Sequence, residues 1–182
     1  MPIGWPVEVV ALRPLSTGSV LWRLDGTLRL TVIVKATFGL VNDGTARLIA
    51  PLPLAIKDAY RERSPTRSLE AAGELAPYLP GAGVVVSGHA YAPPGRAVPA
   101  MSVRVAVLRS ELVLEKTLHI FGDRSPADAG HPRPFQRMPI VYERAFGGVG
   151  VDANPVGVGA APDSPALPNV VDPADPRRPA GP

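Results

Sequence analysis

In Leu28-Arg29-Leu30-Thr31-Val32-Ile33-Val34-Lys35-Ala36-Thr37-Phe38-Gly39-Leu40, apolar side chains fall at every second position. Leu28, Leu30, Val32, Val34, Ala36, Phe38 and Leu40 form one set, and Arg29, Thr31, Ile33, Lys35 and Thr37 lie between them. A period of two is the signature of a strand with one face on a core and the other in water. The sequence therefore predicts that the Leu28 set is buried. Upstream, Val20-Leu21-Trp22-Arg23-Leu24 reaches this strand through Asp25-Gly26, a pair that accepts the positive φ angles of a two-residue hairpin turn. Downstream, Asn42-Asp43-Gly44 marks a second turn before residues 45–50. The expectation is a three-stranded antiparallel meander.

The rest of the chain repeats this character in weaker form. Residues 58–63 and 68–75 carry helix formers and predict short helical turns, with Gly73 limiting the second. Strands resume at residues 83–91. Met101, Val103, Val105 and Val107 then share one face, and Leu112, Leu114, Leu118 and Ile120 the next. Residues 139–146 read as a strand with Tyr142, Arg144 and Phe146 on one face, ended by a turn at Gly147-Gly148. From residue 150 to residue 182 the chain is irregular, with eight prolines in 33 residues.

Composition agrees with strands and loops. The 182 residues contain 23 prolines and 18 glycines, too many interruptions for a helical bundle, because each interior proline costs a helix about 3 kcal/mol. The expected fold is all-β or β-rich: antiparallel, sandwich-like sheets with long Pro/Gly-rich loops and a few short helical turns, in one domain spanning residues 1–182. Cysteine is absent, which removes disulfides, thiolate metal sites and cysteine nucleophiles together. The start lacks the basic and apolar pattern of a signal peptide, and no run is long enough to span a bilayer, so the chain reads as cytoplasmic, without a membrane partner. The net charge of +3 is spread thinly, lysines number three, and aromatics at 5% offer few stacking platforms, which argues against nucleic acid.

The chemistry-bearing residues are few. No phosphate-binding loop with its lysine and no G-x-S-x-G elbow occurs. His89, His119 and His131 lie outside any metal-ligand spacing, so no metal or cofactor is expected. Asp123 and Glu143 are the carboxylates to weigh as an acid–base pair of a carbohydrate-active hydrolase. Each also has an arginine beside it, Arg124 and Arg144, so the plainer reading is a structural ion pair across neighbouring strands, Asp123 with Arg124 being one candidate.

Met138-Pro139-Ile140-Val141-Tyr142-Glu143-Arg144-Ala145-Phe146-Gly147-Gly148, then Asn154-Pro155-Val156-Gly157-Val158-Gly159 and Leu167-Pro168-Asn169, closely resemble domain of unknown function 2169. Val34-Lys35-Ala36-Thr37-Phe38, Leu75-Ala76-Pro77, Val86-Ser87-Gly88-His89-Ala90, Pro94-Gly95-Arg96 and Gly122-Asp123-Arg124 agree in order. The arginine and aromatic usual in that family around residues 158–160 are missing here, and Leu79 stands where a lysine is common. The resemblance implies the N-terminal part of a longer family domain. It also implies a non-enzymatic accessory protein of bacterial type VI secretion: an adaptor or chaperone that stabilises an effector and helps load it onto the spike protein and its PAAR-type tip. Tyr142, Glu143, Arg144, Phe146, Gly147, Gly148, Asn154, Pro155 and Gly157 are then the motif residues, acting either as partner contacts or as a structural brace.

Overall fold

The computed structural model describes residues 7–128 and 130–175. It is strand-rich, with several antiparallel sheets and, among the described residues, no helix of seven residues or more, an all-β fold. No helix among the described residues is long and apolar enough to cross a membrane. Contacts divide the chain into two units: Met1–Arg63 with Leu69–Val84, and Ser64–Ser68 with Val85–Pro182.

The first unit is built on a hairpin of β1 (Ser16–Leu24) and β2 (Thr27–Lys35), paired from Ser16↔Lys35 to Leu24↔Thr27. Asp25 and Gly26 supply the turn with φ of 49° and 76°, the conformation anticipated for this pair. The meander does not continue as one sheet. β3 (Phe38–Gly39) and β4 (Arg47–Leu48) pair separately, because Thr37 turns its carbonyl to Ile49 N–H and its hydroxyl to Leu52 N–H.

The buried face of β2 is the reverse of the one the alternation predicts. Leu28, Leu30, Val32 and Val34 are exposed, whereas Thr31, Ile33 and Lys35 are half-buried. The polar members of the inner face find partners there. Thr31 accepts from Trp22 Nε1 at 3.0 Å and donates to the Pro77 carbonyl at 2.5 Å. Lys35 reaches Glu74 at 2.9 Å. A polar group that is hydrogen-bonded loses its penalty for leaving water, so period alone does not choose the face.

The helical turn expected over residues 68–75 is instead β6 (Leu69–Ala71), paired with β5 (Ala59–Tyr60). Gly73 N–H donates to Asp58, Glu74 N–H donates to the Ala55 carbonyl, and the Glu74 carboxylate accepts from Ala55 N–H. These bonds hold the segment extended. Only a short 3-10 turn at Arg61–Arg63 follows β5.

The second unit holds β7 (Gly88–Tyr91), β8 (Ala100–Leu108), β9 (Leu112–Phe121), β10 (Arg137–Ile140), β11 (Phe146–Gly147), β12 (Val158–Gly159) and β13 (Val170–Val171). β13, β9 and β8 form a three-stranded antiparallel sheet, β10 pairs antiparallel with β7, and β11 pairs parallel with β12. Ala90, Ile120, Phe135, Met138 and Val170 form the core, with Met101, Val103 and Leu118 packed against it. The expected inward faces of β8 and β9 hold near this core and lapse toward the hairpin tip, where Val107, Leu108, Leu112 and Leu114 are exposed.

Candidate functional site

The motif residues lie in the second unit, on three consecutive pieces of backbone. β10 ends at Ile140, Tyr142–Arg144 is a 3-10 turn, and β11 begins at Phe146. The continuous strand anticipated over residues 139–146 is thus broken, and Tyr142, Arg144 and Phe146 share no strand face. Arg144 N–H donates to the Val141 carbonyl and Ala145 N–H to the Tyr142 carbonyl, both at 3.1 Å, which closes the turn. Asn169 N–H takes the Arg144 carbonyl at 2.8 Å.

Asn154 is the centre of this arrangement. It is 7% exposed, and its Nδ2 donates to the Tyr142 carbonyl at 2.9 Å and the Phe146 carbonyl at 3.0 Å. Its own carbonyl accepts from Gly148 N–H at 2.9 Å and Gly157 N–H at 3.3 Å. One residue therefore joins the 3-10 turn, β11 and the loop leading to β12. Such packing leaves no room for side chains beside it. A Cβ on Gly147 would meet the Asn154 carbonyl oxygen at 2.1 Å, and one on Gly157 would meet Asn154 Nδ2 at 2.4 Å. Pro155, next in sequence, is exposed.

Glu143 and Arg144 point to different partners. Glu143 Oε1 accepts from Ser68 N–H and Oε2 from Ser68 Oγ, both at 2.8 Å, across 75 residues of chain. Ser68 is buried. Arg144 Nη1 donates to Asp123 Oδ1 at 2.7 Å and to Asn169 Oδ1 at 3.0 Å. Asn169, also buried, donates from Nδ2 to Asp123 Oδ1 at 3.1 Å and to the Phe121 carbonyl at 3.2 Å. Hydrogen bonding from Arg144 holds the Asp123 carboxyl below its ordinary range, partial burial opposes this, and Asn169 and the charge of Arg133 assist it.

The ion pair expected of Asp123 accordingly forms with Arg144, not with its sequence neighbour Arg124. Arg124 sends Nη2 to the Pro168 carbonyl at 2.9 Å and lays its guanidinium 4.0 Å from the centre of the Phe121 ring.

Beside Asp123 is an open depression of about 270 Å³, whose lining includes Asp123, Ser125, Asp128, Arg133, Leu167 and Asn169 but not Glu143. The two carboxylates weighed as an acid–base pair are therefore held by separate networks. The histidines do not meet either: His119 Nδ1 contacts Ser102 Oγ, His131 Nδ1 the Asp128 carbonyl, and His89 Nδ1 Arg137. Among the described residues no group of three or more His, Cys, Asp or Glu could hold a metal ion.

Of the residues singled out by sequence, Phe146, Gly147, Gly148 and Gly157 gather around Asn154, Tyr142 joins them by its carbonyl while its side chain is 62% exposed, and the side chains of Glu143 and Arg144 leave the same turn for separate partners, Ser68 and the Asp123–Asn169 pair. Ser68 and the pairing role of Asn169 escape sequence reasoning. Ser68 carries no local signal at all, and Asn169 is flagged only by lying in the matching Leu167-Pro168-Asn169 segment.

Residues 25–182 match a family model described as an uncharacterized protein conserved in bacteria, DUF2169. No curated protein and no solved structure matches the chain.

Proposed function

We propose, on the premise that this chain belongs to the DUF2169 family, that it is a non-enzymatic accessory protein of bacterial type VI secretion. In this reading it is a cytoplasmic adaptor or chaperone that stabilises an effector and helps load it onto the spike or its PAAR-type tip. The observation that carries the reading is the use made of the motif's polar groups. Both Glu143 oxygens hold Ser68, the Arg144 guanidinium holds Asp123 and Asn169, and the Asn154 amide holds two carbonyls. A reactive group must face a substrate, whereas these hold backbone groups and the side chains of Ser68, Asp123 and Asn169. That favours a braced binding surface over a catalytic centre. Two large apolar side chains at or beside the motif, Tyr142 and Val149, are exposed and open to a partner. A hydrolase built on Asp123 and Glu143 would need both to flank one cleft, and the depression at Asp123 gives that reading no support.

Co-expression of the tagged chain with a type VI effector and spike protein of the same genome tests the proposal. Retention of the effector in a pull-down, with higher soluble yield of that effector, is the expected result. A folded chain that retains neither protein overturns it.

A further inference from the structure

The outer edge of β2 combines two properties that independently call for a neighbour. Leu24↔Thr27 flanks a two-residue turn and is therefore the closing hydrogen-bonded pair of the hairpin. Hydrogen-bonded and non-hydrogen-bonded pairs alternate along an antiparallel ladder. Thr27, Arg29, Thr31, Ile33 and Lys35 consequently bond to β1, and Leu28, Leu30, Val32 and Val34 turn their N–H and C=O groups away from it. Among the described residues β2 pairs with β1 alone. These same four residues carry the exposed apolar side chains, 45–57% accessible. A long apolar edge left open in this way is a template for another strand.

The β1 half of this face is met by residues 7–9. Thr17 and Ser19, cross-strand from Val34 and Val32, donate their hydroxyls to the Val9 and Val7 carbonyls, both at 2.6 Å. The β2 half exposes on the order of 300 Å² of apolar side chain. A stable dimer of globular subunits needs about 800 Å² on each partner, so the patch is too small for a second copy of the chain and fits one added strand.

We infer that the β2 edge receives an extended segment of a partner protein, antiparallel, with apolar residues at every second position. This rests on the partner-binding reading above and names the mode of contact. Four pairs of backbone hydrogen bonds at Leu28, Leu30, Val32 and Val34 would hold the segment. Residues directly opposite these four put their side chains on the same face, so the apolar positions of the segment are the ones that pack.

The test uses the full chain and a labelled nine-residue peptide with valine at alternate positions and threonine or glutamate between. Binding is expected, with exchange of the Leu28, Leu30, Val32 and Val34 amides slowed at least tenfold. N-methylation of the valines, which removes the donors facing β2, should weaken binding at least tenfold. N-methylation of the intervening residues should not. Val32→Pro removes an outward donor while sparing the hairpin bonds, and an edge position tolerates it; it should lose the peptide. The inference is overturned if the four amides already exchange as slowly as those of Thr31 and Ile33 in the chain alone, or if both sets of N-methyl peptides bind equally. In the effector pull-down, equal retention by wild type and Val32→Pro overturns the edge assignment, and absence of retention by wild type overturns the adaptor reading.

Discussion

Replacing Asn154 by alanine removes both donors that hold the Tyr142 and Phe146 carbonyls at 2.9 and 3.0 Å. The Tyr142 carbonyl keeps its bond from Ala145 N–H, but the Phe146 carbonyl loses its partner in a largely water-free site, so the variant should lose about 1–3 kcal/mol of local stability. In amide exchange that is about 5- to 150-fold, at about 1.4 kcal/mol per factor of ten. The amides to follow are Gly148, Val158 and Ala160, which bond to Asn154, Ala145 and Gly147 carbonyls inside the network. Those of the β1–β2 hairpin serve as the internal reference. Asn154→Asp keeps the side-chain shape but sets an oxygen against both carbonyls, and it should accelerate exchange at least as much as alanine does. The two variants separate hydrogen bonding from packing: an aspartate variant near wild type beside a damaged alanine variant would assign the effect to packing. Exchange within threefold of wild type in both would refute the assignment of Asn154 as the stitch of the motif.

Two further expectations follow from the partners of Arg144 and Glu143. Asp123 has its folded pKa depressed by Arg144, so its contribution to stability is present above the unfolded value of about 3.9 and is lost as pH falls through the folded pKa. A carbon-13 titration of its carboxyl should show the depressed value, Arg144→Ala should raise it toward the ordinary one, and an unshifted wild-type carboxyl would contradict the pairing. Ser68→Ala removes one of two bonds to Glu143 and should cost about 1–2 kcal/mol, read as faster exchange at the Ser68-equivalent amide. Unchanged exchange there would show that Glu143 does not hold this segment.

How much of the molecule is legible in the chain differs from element to element. The β1–β2 hairpin follows from Asp25-Gly26 and the flanking alternation, because turn chemistry and register are local. The apolar faces of β8 and β9 near the core are legible in the same way, because alternation is local. The helical turn expected over residues 68–75 fails, since Asp58 and Ala55 draw Gly73 and Glu74 into extended backbone, and both partners lie outside the window in which propensity acts. The strand expected over residues 139–146 fails for a related reason: the carbonyls of Tyr142, Arg144 and Phe146 are claimed by Asn154 and Asn169 from later loops.

At the candidate site the residue types were readable and their partnerships were not. Gly147, Gly157 and Asn154 stand out as a motif, and close packing around one amide explains why these types are there. That Glu143 serves Ser68, while Arg144 serves Asp123, follows from no spacing in the chain. Strand, turn and β-rich class come from interactions between residues close in sequence, and those the chain specifies directly. Which face of β2 is covered, and which carboxylate an arginine finds, depend on segments tens of residues apart meeting in space, where a hydrogen bond to a distant carbonyl outweighs the local preference for an apolar face.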